Sequence, residues 1–357
     1  MTWLKLHWWK ISGSALLILA LLIGLKTPLA PGIESYSPDF SNAGDTLQMQ
    51  VITVNAHFKS KPDSLSVYLI SDSSIINGKI QNIQTENSFD ASFEIDSSVV
   101  KKGFTHRNFD LLINSVYDGN IILKNAVDIK TDTSNKSTTH FISSPLVIAH
   151  SQTSYFSFPL REILYESIRN LFYHVPMWFG MTILLCVSMF FSFKYLRTQK
   201  LDDDLKAASF ARIALLFGLL GIVTGMQWAK VTWGSWWNND PKQNAAAIGL
   251  LIYLAYFVLR NSMDDPEKKA RISAVFNVFA LCIFIPIIYI VPRLTESLHP
   301  GNGGNPGFNQ YDLDGNLRLV FYPAIIGWTL LGLWMAQLNY RIEKIKLQLL
   351  LGKNNQL

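Results

Sequence analysis

Residues 231–243 read VTWGSWWNNDPKQ and separate two long apolar runs. Indole prefers the boundary between hydrocarbon and water, so an aromatic belt is the ordinary explanation for tryptophan beside an apolar run. This tryptophan loop has three tryptophans within five positions, more than an aromatic belt needs, and charged residues lie beside the indoles. We therefore interpret it as a surface for a flat, apolar partner. Its aromatic and charged residues are Trp233, Trp236, Trp237, Asp240 and Lys242.

The composition is intermediate between that of a membrane protein and that of a soluble one. Of the 357 residues, 49% are hydrophobic and 16% are charged, and a long polar segment lies near the N-terminus. The formal net charge of +5 does not indicate nucleic-acid binding, because the Lys and Arg residues lie mostly in short loops beside apolar runs. Nucleic acid is therefore excluded as a partner. Cys186 and Cys282 both lie inside apolar runs, where neither a disulfide nor a soluble metal site is expected.

Six apolar runs approach the length of about 20 residues that crosses a bilayer as a helix. Residues 11–25 form the first run, and we interpret it as an uncleaved anchor rather than a signal peptide. Pro28 and Pro31 are unfavourable around a cleavage site after Ala30. The other five runs follow the polar segment and cover residues 175–196, 213–228, 245–259, 274–291 and 319–338.

The distribution of basic residues predicts the orientation of these spans. Most of the Lys and Arg residues near the later runs lie in the loops after the second and fourth runs and in the C-terminal tail. The opposite short loops contain only Lys230, Lys242, Arg293 and Arg318. The positive-inside rule then places the basic loops in the cytoplasm, and the polar segment and the tryptophan loop outside it.

Residues 31–158 form the polar segment, which is rich in Ser, Asn, Asp and Thr. Strand-like runs such as DTLQMQVITVNAHF and FDLLINSV alternate with turn residues, and this spacing predicts a small β-sandwich. The pair Asp118-Gly119 predicts a two-residue hairpin turn, since both positions of such a turn need a positive φ. Four histidines lie in the segment without metal-ligand spacing, so we expect surface or strand histidines rather than ligands: His57, His106, His140 and His150.

The fold class predicted from these patterns is an all-α polytopic membrane protein with about six transmembrane helices and an inserted extracytoplasmic all-β sandwich domain. The apolar runs supply the helices, and the polar segment supplies the insertion. The predicted parts are a transmembrane anchor, the β-sandwich, a five-helix membrane domain and a cytoplasmic tail, covering residues 1–30, 31–158, 159–342 and 343–357.

Two histidines join the tryptophan loop on the outer face by helix parity. His174, in LFYHVPMWFG, precedes the second apolar run, and His299, in TESLHPG, follows the fifth. One histidine near a membrane interface is usually a packed or water-bonded side chain. Two histidines around an aromatic platform suit haem iron, because this iron accepts two neutral imidazoles as axial ligands. Basic residues on the same side that are candidates to pair with haem propionates are Arg161, Arg169, Lys242, Arg293 and Arg318.

These stretches resemble a known family. The run WGSWWNND resembles the tryptophan-rich signature of haem-handling cytochrome c assembly proteins, and LFYHVPMW resembles the segment that opens the second helix of the heme exporter protein C (CcmC) family. SLHPG matches the position of that family's second histidine, and the resemblance covers residues 161–338. It implies that His174 and His299 are axial ligands of haem iron. It also implies that four residues of the loop support the haem: Trp233, Trp236, Trp237 and Asp240.

The sequence departs from the family pattern at three places. Asn239 stands where the family usually has a further Trp, and Pro241-Lys242 stands where Ala-Arg is common. The third departure is the β-domain, where family members usually have a short loop. It docks a partner chaperone or is an insertion without a chemical role, and the sequence leaves both alternatives open.

The resemblance implies a non-enzymatic protein of the bacterial inner membrane that binds haem b as cargo on its periplasmic side. It would deliver this haem to a periplasmic chaperone similar to CcmE for cytochrome c maturation, alongside ABC-transporter subunits in the lipid bilayer. An alternative is a CcsA-like subunit of a cytochrome c synthase, but such subunits usually have further histidines inside the membrane. A third possibility is a structural anchor for the β-domain, which predicts no haem absorption.

Overall fold

The computed structural model describes residues 2–71, 74–97, 106–130, 153–161, 164–299 and 313–354. The chain divides into two compact units. One is Thr27–Glu162, called the strand unit below. The other, called the helical unit, combines Met1–Lys26 with Ile163–Leu357.

The strand unit contains a single sheet of eight strands among its described residues. They are β1 Gly32–Ser37, β2 Phe40–Asn42, β3 Thr46–Val54, β4 Ser66–Ser71, β5 Ser74–Thr85, β6 Ser88–Glu94, β7 His106–Ser115 and β8 Gly119–Lys130. Their order in the sheet is β1-β3-β6-β5-β4-β7-β8-β2. All neighbouring strands are antiparallel except β2 and β8, which are parallel.

The all-α fold class is wrong, because the N-terminal region contains this curled mixed sheet of eight strands. The two-sheet sandwich is also replaced by one continuous sheet. Alternate residues of β3, among them Leu47, Met49 and Val51, are buried together with Phe89 and Phe93 of β6. A curled sheet and a sandwich both bury one face with a period of two residues, so the alternation in the sequence did not distinguish them.

The hairpin predicted at Asp118-Gly119 is present, but its loop is longer than predicted. β7 and β8 pair with Ser115 opposite Gly119, so three residues form the connection. Gly119 has a φ of +78°, whereas Asp118 has no positive φ. Asp118 turns its carboxylate inward instead, and this side chain is buried.

The helical unit contains six long helices among its described residues. They are α1 Thr2–Lys26, α2 His174–Thr198, α3 Leu201–Trp233, α4 Pro241–Asn261, α5 Pro266–Ile285 and α6 Gly315–Asn354. A 3-10 helix, Tyr165–Phe172, precedes α2, and a π-helical turn, Pro286–Ile290, continues α5. In the described part of the chain, six helical segments are long and apolar enough to cross a bilayer, which confirms the six predicted spans and a multi-pass membrane protein.

Two of these helices begin at aspartate-proline pairs that fix their first turns. Asp265 precedes α5 and accepts hydrogen bonds from the backbone N–H groups of Glu267 and Lys268, at 2.8 and 3.0 Å. Asp240 precedes α4 in the same way and accepts from Lys242 N–H at 2.9 Å. Aspartate at the cap and proline at the first helical position both favour a helix start, so the sequence fixes where the tryptophan loop ends.

Candidate functional site

A pocket in the helical unit lies where α2 and α4 begin and where α3 and the segment after α5 end. It encloses about 670 Å³ of empty space, open solvent included. Three predicted site residues line it, namely His174, Trp237 and His299. The remaining wall is largely apolar and includes Trp178, Ile222, Met226, Ala246 and Ile288.

His174 is the first residue of α2, and its ring is held by α3. Its Nδ1 lies 3.0 Å from Oγ1 of Thr224. The Thr224 hydroxyl donates to the carbonyl of Leu220 at 2.8 Å, so it accepts from the N–H at Nδ1 of His174. The lone pair of this imidazole is then at Nε2, the arrangement that a metal ligand needs.

Glycines on α3 let α2 approach closely at the histidine. A Cβ atom at Gly225 would lie 2.7 Å from Cε1 of His174, and one at Gly221 would lie 2.9 Å from the indole of Trp178. His174 and Trp178 are themselves in edge contact, with ring centroids 6.4 Å apart. Glycine at these positions on one face of α3 therefore decides where the His174 ring lies.

His299 is held by Asp240, and this contact joins the segment after α5 to the start of α4. Nδ1 of His299 lies 2.7 Å from Oδ1 of Asp240. Oδ2 of the same carboxylate accepts from the Ser297 hydroxyl and from the backbone N–H of Leu298, each at 2.7 Å. A carboxylate that accepts from Nδ1–H fixes the orientation of the imidazole and leaves the lone pair at Nε2.

The Asp240 carboxylate is almost fully buried, with 1% of its side chain exposed. Burial alone would raise the pKa of this carboxyl group. The hydrogen bonds from His299, Ser297 and Leu298 outweigh that effect and hold the pKa of Asp240 well below its ordinary value of 3.8. Asp240 is therefore an ionised group at neutral pH that orients His299 and caps α4.

The three tryptophans of the loop occupy different positions. Trp233 packs edge-to-face on His299, with centroids 4.8 Å apart. Trp237 lines the pocket and donates from Nε1 to Asn244 at 3.2 Å. Trp236 is 53% exposed.

Sequence reasoning missed two contributors to this site. The indole of Trp228 lies 4.8 Å from Trp233 and 5.8 Å from His299 between ring centroids. The sequence showed it only as the last residue of an apolar run. The capping role of Asp240 was also missed, although the Asp-Pro pair at residues 240–241 signals it.

Of the basic residues considered for propionate binding, Lys242 lines the pocket. Arg169 instead binds Glu166 at 2.5 Å and the Gly24 carbonyl at 2.7 Å. Arg318 donates to the Leu313 carbonyl at 2.9 Å. The geometry therefore favours Lys242 as the cation nearest to a ligand in the pocket.

Comparison with known proteins identifies the same stretch of the chain. A family model described as Heme exporter protein C matches residues 127–349. Heme exporter protein C of Haemophilus influenzae is 25% identical over 186 residues, 51% of this chain and 73% of that protein. The protein of the same name from Bradyrhizobium diazoefficiens is 30% identical over 167 residues, 46% of this chain and 62% of that protein.

A cytochrome c biogenesis protein CcsA from Prochlorococcus marinus is also similar, with 36% identity over 88 residues, 24% of this chain and 27% of that protein. Together these relatives support a haem-handling, transporter-like role in cytochrome c maturation. The resemblance found in the sequence is confirmed, because the family model covers more than half of the residues. The chain belongs to the heme exporter protein C family.

Proposed function

We propose that this protein binds haem b as cargo in the pocket of the helical unit, with His174 and His299 as its two axial ligands. It then delivers the haem to a periplasmic chaperone similar to CcmE for cytochrome c maturation. One observation carries the proposal: two imidazoles from distant parts of the chain line one pocket. Each has Nδ1 in contact with a protein oxygen, the arrangement in which Nε2 carries the lone pair that iron needs.

The chemistry of the pocket suits haem better than a bare metal ion. Among the described residues there is no group of three or more His, Cys, Asp or Glu side chains that would hold a metal ion. Haem iron already has four porphyrin nitrogens and needs only axial ligands from the protein. The apolar wall, with Trp178 and Ile288, suits the macrocycle, and Lys242 supplies a cation for a propionate.

The tryptophan loop has two functions in this proposal. Trp233 and Trp237 lie at the pocket, where Trp233 buttresses His299 and Trp237 forms part of the wall. Trp236 exposes half of its surface and provides a contact for the haem face or for the chaperone. Asp240 supports the site through His299 and not through the macrocycle.

The orientation and the partners are part of the same proposal. The protein lies in the bacterial inner membrane, with the pocket and the polar segment on the periplasmic side, because the basic loops fall on the opposite side. The organisation into an anchor, a β-domain, a five-helix domain and a tail follows from this topology. Relatives of this family belong to a maturation system, and ABC-transporter subunits in the membrane would hydrolyse ATP on its behalf.

The test is a visible spectrum of the full chain in detergent after addition of ferric protoporphyrin IX. We expect a low-spin, six-coordinate spectrum from two imidazoles. His174→Ala and His299→Ala should each lose that form, because one ligand is missing. His106→Ala is the matched control, since His106 lies on the strand unit and outside the pocket. An unchanged low-spin spectrum in both single variants would refute the assignment.

The match to a CcsA protein favours a second candidate, a CcsA-like subunit of a cytochrome c synthase. Such a protein would promote addition of the two cysteine thiols of a CxxCH apoprotein across the vinyl groups of haem, forming thioether bonds. Incubation of the haem-loaded chain with an apocytochrome distinguishes the two functions. Acid-stable haem on the apocytochrome supports the synthase, whereas transfer only to a CcmE-like chaperone supports the exporter.

A further inference from the structure

The strand unit contains a second histidine supported by a buried carboxylate. Nδ1 of His57, just after β3, lies 2.9 Å from Oδ1 of Asp118, in the hairpin before β8. The backbone N–H of His57 donates to Oδ2 of the same residue at 2.9 Å. The side chain of Asp118 is 0% exposed and that of His57 is 40% exposed. With Nδ1–H donating to the carboxylate, the Nε2 lone pair is on the more exposed side of the pair.

Two tyrosines complete what we call the His57 cluster: His57, Tyr117, Asp118 and Tyr155. The His57 ring makes edge contacts with Tyr117 and Tyr155, at centroid distances of 4.9 and 5.7 Å. The tyrosines contact each other at 5.3 Å. The imidazole therefore stands in an aromatic setting, as His299 does between Trp228 and Trp233.

The Tyr155 hydroxyl is an unexplained polar group in this cluster. It is buried and has no hydrogen-bond partner within the described residues. Burial, with the charge of Asp118 nearby, raises the pKa of Tyr155 to about 12, so the phenol is a neutral donor at physiological pH. Buried hydroxyls are normally satisfied, and an unsatisfied one beside an accessible imidazole indicates that a further group binds here.

The number of side chains able to coordinate a metal indicates what class of ligand the cluster binds. The described residues contain no group of three or more His, Cys, Asp or Glu side chains placed to hold a metal ion, so the cluster does not provide the ligand set of a bare transition metal. Iron in a porphyrin has four ligands already, and one imidazole is enough to bind it. Val116 and Phe156, next in sequence to the two tyrosines, are 61% and 42% exposed and add apolar surface of the kind a macrocycle covers.

We propose that His57 is an axial ligand for haem on the strand unit, a second haem-binding site on this protein. Asp118 fixes the imidazole, and the tyrosine rings provide contact surface for the macrocycle. The proposal rests on the proposed function for the identity of the ligand, since haem is the cargo assigned to the helical unit. It assigns the strand unit a chemical role that a plain insertion lacks.

The test titrates the full chain in detergent with ferric protoporphyrin IX and counts the bound equivalents from the visible spectrum. We expect two equivalents for the unmodified protein and one for the double variant His174→Ala/His299→Ala. Adding His57→Gln to that double variant should remove the remaining equivalent, because a glutamine amide keeps a donor for Asp118 but is a poor iron ligand. Adding imidazole to a His57→Gly version should restore the spectrum.

The matched control is His106→Ala in the same double variant. His106 also lies beside a carboxylate, Asp128, but at 3.5 Å and with side-chain exposures of 62% and 34%, so it lacks the buried support. It should keep the remaining equivalent. Melting temperatures of all variants show whether each one folds.

The outcomes separate this proposal from the proposed function. Equal binding by a folded His57→Gln triple variant and its parent would overturn the site at His57. Loss of one equivalent with His57→Gln in the unmodified background, together with no effect of His174→Ala or His299→Ala, would support His57 and refute the pocket.

Discussion

The pocket of the helical unit and the His57 cluster support an imidazole by the same means but differ in what else the carboxylate does. Asp240 contacts Nδ1 of His299 at 2.7 Å and also caps α4 and binds Ser297 and Leu298. Asp118 contacts Nδ1 of His57 at 2.9 Å and accepts from its backbone N–H. The pocket carboxylate therefore joins the start of α4 to the segment after α5, whereas the cluster carboxylate joins His57 to the β7–β8 hairpin, where the Ser115 hydroxyl also donates to it at 3.4 Å.

The two regions also differ in the number of imidazoles. The pocket has a second one, His174, at the start of α2. The His57 cluster supplies one imidazole and an unpaired tyrosine hydroxyl. Iron with two protein imidazoles is fully coordinated, whereas iron with one keeps a position open to water or to a partner's ligand. Under the two proposals made above, the helical unit would hold haem and the strand unit would exchange it.

Replacing the carboxylate of the pocket should have the largest effect. Asp240→Asn removes the charged acceptor for His299, and asparagine remains a good residue for the start of α4. Loss of a group that orients a metal ligand typically costs about 10–100-fold in affinity. We expect a fall of that size in haem affinity when the variant is titrated in a His57→Gln background.

The corresponding change in the strand unit, Asp118→Asn, is the comparison for this result. Titrated in the unmodified background, it should leave the haem affinity of the pocket unchanged and weaken only the His57-dependent equivalent. If Asp118→Asn weakened the pocket equivalent as well, the two carboxylates would not act on separate sites.

A smaller effect is expected from filling the space beside the second pocket imidazole. A Cβ atom in Gly225→Ala would lie 2.7 Å from Cε1 of His174, so the ring or the helix must shift. Overpacking of this kind costs about 1–3 kcal/mol, and here we expect the lower end because a side-chain ring can move. The measurement is the low-spin fraction at saturating haem together with the melting temperature.

Gly315→Ala is the control for that change, because none of the described residues has an atom within 4 Å of the added Cβ. It should alter neither quantity. A normal low-spin spectrum in Gly225→Ala would mean that the position of His174 does not depend on its contact with α3.

The membrane spans show how much of the helical fold the sequence predicted. The apolar run 175–196 corresponds closely to α2, His174–Thr198. The run 213–228 corresponds to a longer helix, α3, because its first turns carry Asp202, Asp203 and Asp204 and are too polar for a hydropathy pattern. The charges lie where acidic groups favour a helix start, so the polar turns are helical too.

The site was predictable only in part. The motifs around His174 and His299 identified both candidate ligands, and the structure brings them to one pocket. The contact between His299 and Asp240 joins residues distant in sequence, and no local pattern encodes it. The same holds for His57 and Asp118, whose pairing depends on how the sheet curls.

A change of a few-fold is expected from the indole that touches His299. Trp233→Leu removes an edge contact at 4.8 Å, and aromatic pairs of this kind contribute about 0.5–1.5 kcal/mol. Haem affinity at the pocket should fall several-fold in a titration. Trp236→Leu is the matched change at an exposed indole and should lower affinity less while slowing transfer to a CcmE-like chaperone. Equal losses of affinity would indicate that the loop binds haem as one continuous surface.

The smallest effect is expected at Tyr155. The two regions differ most in whether their buried polar groups have hydrogen-bond partners. The Asp240 carboxylate accepts hydrogen bonds at both oxygens, whereas the Tyr155 hydroxyl is buried without a partner in the described structure. Removing an unpaired buried hydroxyl is nearly neutral for folding, so Tyr155→Phe should keep the melting temperature of the haem-free protein at pH 7. It should weaken only the haem equivalent that depends on His57.

The pH dependence of the same variant gives an independent check. The pKa of Tyr155 is raised from 10.0 to about 12 in the folded chain, so its contribution to stability is complete below pH 10 and is lost as the pH rises toward 12. Phenylalanine has no such ionisation. The unmodified protein should therefore lose stability relative to Tyr155→Phe between pH 10 and 12, measured by thermal unfolding at several pH values. A parallel decline of both proteins over that range would show that the phenol is no more buried in solution than an ordinary surface tyrosine.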